Sequence, residues 1–359
     1  MIPRKEYMMA KQYRACLVGC GRMGATIDDE MEGRPERFLW IPYSHAAAAV
    51  ACDRTDLVAV SDVIPEKAET ARQRYDAQHA YTDYHEMIEK EQPDIVCVAT
   101  RPPQRAEVAI FAADHGVKGI YAEKPLCCSM EEADAMVDAV ERNGTKFNYG
   151  TQRRFMPFYR KMRELIDAGE IGDVQCVIAQ YGATSALWGL THAADMLLYL
   201  AGDVEIDFVQ GSIMCDPEDW DGNRLNTDPG IAGGYVRFSN GVHGYNTAGT
   251  GPEFEVCGTK GKMRTINNGM TCQFRKASDS SRILEEMPFP DVPRESGTEM
   301  GIKNVAEALD TGEETQGPIQ LARRSQEMLM GMIESDRLGG MRVSLPMVNR
   351  GLYVGRPDW

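Results

Sequence analysis

The apolar run Ala15-Cys16-Leu17-Val18 passes straight into Gly19-Cys20-Gly21-Arg22-Met23-Gly24. A buried strand that ends in GxGxxG fits a backbone that must lie very close to a pyrophosphate. Gly19 permits the tight turn, Gly21 removes the side chain that would block the ligand, and Gly24 lets helix and strand pack closely. The helix that follows offers unpaired N–H groups and a positive dipole end to the phosphates. Glycine-rich turns are common by themselves, so the surrounding pattern has to decide.

That pattern is an alternation. Strands are read at Ala15–Gly19, Leu57–Ser61, Ile95–Ala99, Gly119–Ala122 and Lys146–Tyr149. Between them, Glu66–Tyr75, Tyr84–Glu91, Gln104–His115 and Met130–Arg142 carry apolar residues at helical spacing. Alternating βα units imply a parallel, doubly wound Rossmann sheet over residues 13–150, after an N-terminal tail of residues 1–12. The polar, acidic stretch Thr26–Pro42 precedes a helix at Ser44–Cys52 and reads as an insertion at the cofactor end of the sheet. It either lines the active site or forms a solvated surface loop.

Beyond residue 150 the texture changes. Helices at Pro157–Ala168 and Thr191–Leu200 flank a strand at Val174–Tyr181, with the turn Gly169-Glu170-Ile171-Gly172 between. Strand-like runs follow at Asp207–Met214, Gly234–Phe238, His243–Ala248, Phe254–Cys257, Lys262–Ile266 and Met270–Phe274. Ser239-Asn240-Gly241 and Asn267-Asn268-Gly269 supply hairpin chemistry. A second α/β domain over residues 151–346, with a largely antiparallel open sheet, is therefore expected. Helices near Gly301–Asp310 and Pro318–Asp336 close it, the second carrying the core stripe Ile319, Ala322, Met328, Leu329, Met332 and Ile333. Residues 347–359 read as an irregular tail that docks on a neighbouring subunit.

A chain of 359 residues suits about two domains. Its net charge of -15 argues against nucleic acid and anionic membrane surfaces as partners. The ten cysteines show no zinc-ligand spacing, so we expect buried thiols, no metal and a reducing compartment. Residues 1–13 hold no apolar segment of signal-peptide type, and no apolar run reaches spanning length, which reads as a cytoplasmic protein.

Glu123-Lys124-Pro125 directly follows the strand Gly119–Ala122, so Lys124 stands at the carboxyl end of a parallel strand, where open α/β sheets bind ligands. With the GxGxxG turn, this motif resembles the glucose-fructose oxidoreductase / inositol dehydrogenase / MocA family of NAD(P)-dependent sugar and cyclitol dehydrogenases. The resemblance covers nearly all of residues 13–346. It includes the Thr100 turn, Arg153-Arg154-Phe155, Gly169-Glu170-Ile171-Gly172, Thr191-His192-Ala193-Ala194-Asp195, Gly258-Thr259-Lys260-Gly261 and Ser344-Leu345-Pro346. It implies a Rossmann domain with an α/β domain whose open sheet supports homodimers or homotetramers, and a cis peptide before Pro125.

By that resemblance Lys124 is the lysine at the substrate hydroxyl. It stabilises a developing alkoxide or, with a depressed pKa, accepts the proton itself. His192 matches the catalytic histidine, against the plainer reading of a helix-end or core histidine. Asp195, one turn later, either orients the imidazole or points into the substrate pocket. Gly19, Gly21, Arg22, Met23, Gly24, Asp62, Thr100, Arg105 and Glu123 form the expected cofactor set. Asp62 ends Val58-Ala59-Val60-Ser61-Asp62, 38 residues after Gly24, and a carboxylate there accepts the ribose hydroxyls and repels a 2′-phosphate. Val63 and Ile64 bring no positive charge, which favours NAD over NADP.

Two positions depart from the family. Trp188 stands where many relatives have an aspartate one turn ahead of the histidine, and its ring suits an apolar sugar face. Arg105 stands where relatives usually have a histidine; it reaches a phosphate or carboxylate, or is solvated. Arg153, Arg154, Tyr181 and Trp188 are the remaining substrate-side candidates, with an inter-domain salt bridge as the other reading of Arg154.

The reading is an NAD-dependent dehydrogenase of a secondary hydroxyl on a sugar, glycoside or cyclitol. One rival is a glycosidase or eliminase that oxidises a ring hydroxyl transiently with bound NAD. The other is a non-catalytic, nucleotide-sensing regulator, against which the retention of Lys124 and His192 speaks.

Overall fold

The computed structural model describes residues 11–278 and 281–359. Strands β1 (Tyr13–Val18), β2 (Thr55–Ser61), β3 (His79–Tyr81), β4 (Ile95–Val98), β5 (Gly119–Ala122) and β6 (Lys146–Tyr149) form a parallel sheet in the order β3-β2-β1-β4-β5-β6. β1, β4 and β5 lie inside this sheet and bury nearly every residue, as strands covered on both faces do. The edge strand β3 escaped the sequence reading because its three residues are half exposed and carry no apolar run.

The GxGxxG turn does not lead into one regular helix. A single π-helical turn over Arg22–Thr26 passes into the short α1 (Ile27–Glu30), and the inserted segment then turns back to α2 (His45–Ala51). Asp28 closes that excursion by accepting the N–H groups of Tyr43 (2.8 Å) and Ser44 (3.0 Å). Ser44 in turn caps α2 by accepting the Ala47 N–H.

Helices α3 (Pro65–Arg74), α4 (Tyr84–Glu91), α5 (Pro102–Asp114) and α6 (Met130–Asn143) complete the first layer. α5 starts two residues ahead of its sequence reading, because prolines at the first helical positions give up no intrahelical bond. A capping box of Ser129 and Glu132 sets the start of α6.

The chain then passes through α7 (Pro157–Asp167), β7 (Val174–Gln180), α8 (Thr191–Ala201), β8 (Ile206–Met214), β9 (Trp220–Asp221) and β10 (Arg224–Leu225). It continues with β11 (Gly230–Phe238), β12 (His243–Thr247), β13 (Glu253–Gly258), β14 (Gly261–Ile266), β15 (Thr271–Ser278) and β16 (Ser281–Met287). α9 (Gly297–Thr311), α10 (Ile319–Arg337), β17 (Val343–Ser344) and β18 (Tyr353–Val354) end it.

Among the described residues the second sheet has nine strands in the order β16-β15-β14-β13-β7-β12-β11-β8-β17. All its pairs are antiparallel except β12 with β7. α8 and α10 cover one face, and the predicted methionine stripe of α10 is buried there.

Two segments lie where the sequence did not put them. α9, read as part of the second unit, packs against β5, β6 and α2 of the first, and Asp310 accepts the Tyr13 hydroxyl at 2.6 Å. The C-terminal tail was expected on a neighbouring subunit. Its residues instead fold onto their own chain: β18 pairs with β10, and the Val354 N–H donates to the Cys128 carbonyl at 2.9 Å. Among the described residues no helix is long and apolar enough to cross a membrane.

Candidate active site

The phosphate turn is shaped by its glycines. Gly19 has φ +96°, a left-handed backbone, and a Cβ on it would lie 2.8 Å from the Ala99 carbonyl carbon. A Cβ on Gly24 would lie 1.8 Å from the Gly19 oxygen, whereas one on Gly21 would meet nothing within 4 Å. The first and last glycines thus pack the turn, and the middle one opens a cradle above it. The Thr100 hydroxyl, beside Gly19 at the end of β4, is buried without a hydrogen-bond partner. Asp62 accepts the Cys20 N–H (2.8 Å) and the Ile64 N–H (2.9 Å), one on each oxygen, which leaves lone pairs for ribose hydroxyls. An open cradle, an orphaned hydroxyl and an acceptor-only carboxylate fit NAD. The Arg22 guanidinium pairs with Glu30 beside this turn, while Met23 is partly buried within it.

The turn after β5 holds Lys124. The Lys124–Pro125 peptide is cis. Lys124 donates from Nζ to the Trp188 carbonyl at 2.7 Å, and the Trp188 ring centroid lies 4.8 Å from Nζ. Burial lowers the Lys124 pKa from its ordinary 10.5 to about 8; Glu123 opposes the shift, and Arg105, Arg22 and Arg153 add to it. His192, four residues beyond Trp188, opens α8 with its Nδ1 buried and unpartnered. Burial and the Arg153 and Lys124 charges hold this imidazole well below its ordinary pKa, so it is neutral at neutral pH. An ammonium poised to lose its proton and a neutral imidazole therefore share one pocket.

Around them stand Arg153, Tyr181 and Trp40. The Arg153 guanidinium lies over the rings of Tyr181 (5.4 Å) and Trp40 (5.6 Å) and donates to Asn268 Oδ1 (2.8 Å). Trp40 belongs to the insertion, and Tyr43 just after it stacks on Trp40 at 5.7 Å. The end of the inserted segment therefore packs against Arg153, while most of its middle, residues 32–38, is exposed to solvent.

Several expected roles need correction. Asp195 neither orients His192 nor faces the pocket: it is fully buried and receives Arg154 from Nε (3.0 Å) and Nη2 (2.8 Å). A carboxylate with no access to water requires a counter-charge, and Arg154 is the one at hand. Arg154 also bonds Asp203 and the Gln316 carbonyl, so its salt bridges stay within the second half of the chain rather than joining domains or touching substrate. Two carboxylates keep this guanidinium charged in spite of burial.

Arg105 is 2% exposed, neither solvated nor free for a ligand. It donates to the Pro125 and Thr100 carbonyls, tying the two strand-end turns together. Glu123, expected among the cofactor contacts, is held inside the fold by His45 Nε2 (3.3 Å) and the Lys124 N–H (3.0 Å). Burial raises its carboxyl, but His45, Lys124 and Arg105 outweigh that and leave it below the usual range. The sequence reading missed His45, Trp40 and Asp228. His45 follows a visible helix cap, and Trp40 stood in a stretch already flagged, but nothing local marks Asp228.

Residues 14–151 match the model of an oxidoreductase family with an NAD-binding Rossmann fold, GFO_IDH_MocA. The nucleotide-binding half of the chain belongs to this family. This oxidoreductase is similar to the myo-inositol 2-dehydrogenase of Thermotoga maritima, 27% identical over 248 residues, which are 62% of this chain and 71% of the relative. It is also similar to the scyllo-inositol 2-dehydrogenase (NAD(+)) of Bacillus subtilis, 32% identical over 165 residues, 46% of this chain and 43% of that one. In fold it matches the aldose-aldose oxidoreductase of Caulobacter crescentus with a TM-score of 0.74 at 18% identity, covering 93% of this chain and 100% of that one. The protein is thus an enzyme, an NAD-binding oxidoreductase of the dehydrogenase type acting on CH–OH groups.

A cleft of about 510 Å³ lies elsewhere on this oxidoreductase, between α7, α8 and α10. Its charged walls are engaged within the chain, Arg163 with Asp167 and Arg324 with Glu205, and we assign it no part in the chemistry.

Proposed function

We propose that this oxidoreductase oxidises a secondary hydroxyl of a sugar, glycoside or cyclitol with NAD, or runs the same reaction in reverse. The observation that carries the reading is the pairing of Lys124, with its pKa lowered to about 8, and a neutral His192 beside the nucleotide turn. When bound at the Gly19–Gly24 turn, the nicotinamide supplies the hydride acceptor. With that acceptor taking the carbinol hydride, the hydroxyl proton would pass to Lys124 or His192, which balances the two-electron oxidation. As it takes up the proton, Lys124 would place its charge against the developing alkoxide. Arg153, Tyr181, Trp188 and Trp40 line the substrate side, and an indole face suits the apolar face of a ring.

The inositol dehydrogenases among its relatives support a polyhydroxylated ring as substrate. Asp62 supports NAD over NADP. The open face of the nine-stranded sheet, with Phe208, Tyr235 and Tyr245 clustered on it, supports self-association, and cytoplasmic residence is the setting that the buried thiols suit.

The test is NADH formation across inositols, aldoses, sugar acids and glycosides. We expect NADH stoichiometric with product from at least one ring polyol and its loss in Lys124→Met. Release of an aglycone without net NADH would replace this reading with the eliminase. NAD binding without turnover of any of these compounds would leave a nucleotide-sensing protein.

A further inference from the structure

Lys124 is held from outside its own turn, and the group that holds it is itself held. The Trp188 carbonyl that accepts Lys124 Nζ belongs to residues 185–190, between β7 and α8. This segment is fastened along its length to the chain just before β11. Asp228 accepts the Leu187 N–H on Oδ1 (2.7 Å) and the Trp188 N–H on Oδ2 (2.8 Å). The Ala186 N–H donates to the Pro229 carbonyl (2.7 Å), and Ser185 pairs with Gly230 as an isolated bridge. The turn then closes on itself, the Leu190 N–H donating to the Ser185 carbonyl at 3.0 Å, and α8 begins one residue later.

Asp228 is 7% exposed, and the Ser185 side chain also hydrogen-bonds to it. With a carboxylate gripping two consecutive N–H groups, the Leu187–Trp188 peptide plane is held. The next plane, which carries the Trp188 carbonyl, is held by the Gly189 N–H donating to the Ser185 carbonyl at 2.9 Å, so the direction of that carbonyl is fixed within the clamped turn.

We propose that Asp228 is a positioning residue that acts through the turn of residues 185–190 to set the Trp188 carbonyl, and hence the resting place of the Lys124 ammonium. The inference rests on the reading of Lys124 as the proton-handling group, but the placement itself does not. Its chemical sense lies in the kind of acceptor. A carbonyl dipole holds an ammonium at hydrogen-bond distance without a full negative charge, so the proton can leave. A carboxylate in the same place would set a full negative charge against the ammonium and keep the proton on. The indole ring of the same residue lies 4.8 Å from Nζ, so one clamped residue presents both a carbonyl and an aromatic ring to Lys124. Glu123, Arg105, Arg22, Arg153 and His192 face Lys124 from the other elements, and Arg356 acts on Asp228. Asp228 makes its hydrogen bonds to the turn and none to Lys124, so its hold on the ammonium runs through the turn.

The experiment titrates Lys124 without turnover. The full-length protein is labelled competitively with trace acetic anhydride between pH 6 and 11, and acetylation of Lys124 is read by mass spectrometry. In the unaltered protein Lys124 should titrate near pH 8. In Asp228→Asn, where one N–H loses its acceptor, the turn loosens and water reaches the ammonium. Its titration should then move up by one unit or more while NAD binding, read by fluorescence quenching, is kept. Asp228→Ser, a smaller change that retains one acceptor, should give an intermediate shift and serves if the first variant does not fold. Trp188→Phe keeps the peptide and an aromatic cover, and should leave the Lys124 titration in place whatever it does to KM.

An unchanged Lys124 titration in a folded Asp228 variant would overturn the proposal, as would a shift in Trp188→Phe as large as that in Asp228→Asn. If Lys124→Met retains turnover while the labelling follows Asp228, the proton-transfer reading fails and the placement stands.

Discussion

Arg154 Nη2 and Asp195 Oδ1 meet at 2.8 Å with each side chain 1% exposed, one turn along α8 from His192. This ion pair fixes α8, and through it the start of the helix that carries the imidazole. Removing one partner leaves an uncompensated buried charge, so Arg154→Met should cost about 3–5 kcal/mol in urea unfolding. Asp195→Asn should cost less, because an amide still accepts one guanidinium N–H and is not left charged. The expected signature is lost stability with KM for substrate unchanged in whatever stays folded. A rise in KM at full stability would restore Arg154 to the substrate pocket.

At the other end of the site, Asp62 is a carboxylate whose two bonds to Cys20 and Ile64 direct it beyond the second strand. In Asp62→Ser the ribose loses a charged acceptor and a 2′-phosphate is no longer repelled. The ratio of kcat/KM with NAD to that with NADP should fall by roughly tenfold or more. An unchanged ratio would mean that the 2′ position is read elsewhere.

Lys124 links activity to pH and to stability. With the Lys124 pKa at about 8, alcohol oxidation needs the neutral amine and should rise as pH passes through 8. Carbonyl reduction needs the ammonium and should fall over the same range. Lys124→Arg, always charged, should lose the oxidative limb. In the folded state the pKa is depressed, so the folded protein binds fewer protons between about 8 and 10.5. Stability therefore gains as pH rises across that window, and the full penalty is present below pH 8. Lys124→Met removes it and should stabilise the protein at pH 7 by at most about 3 kcal/mol while abolishing turnover, as differential scanning calorimetry and NADH assays would record. Lower stability in that variant would count against a strained, buried amine.

Much of the site could be read before folding because its parts are local. Gly19, Gly21 and Gly24 announce a phosphate turn through backbone demands that act within six residues. Lys124 needs only the strand before it and the proline after it. The repeated βα pattern placed both at the same end of a parallel sheet. The edge strand β3, α9 lying on the first sheet and the tail pairing with β10 could not be read, since each depends on partners far away in the chain.

Residue chemistry without its partner misled in the same way. Asp195, Arg154, Arg105 and Glu123 look alike in a sequence whether they meet substrate or one another. Burial decided among them, because a charge removed from water takes the nearest counter-charge or carbonyl the fold offers.

The sequence by itself determined the nucleotide turn and the two-part α/β plan, and it pointed to the lysine and histidine proposed at its centre. Short-range sterics and periodicity specify all of these. Only the tertiary structure decided which acid reaches which base, and that the lysine rests on a backbone carbonyl clamped by an aspartate forty residues away from it in sequence. Hydrogen bonds of that kind join segments that only the assembled sheets bring within 3 Å.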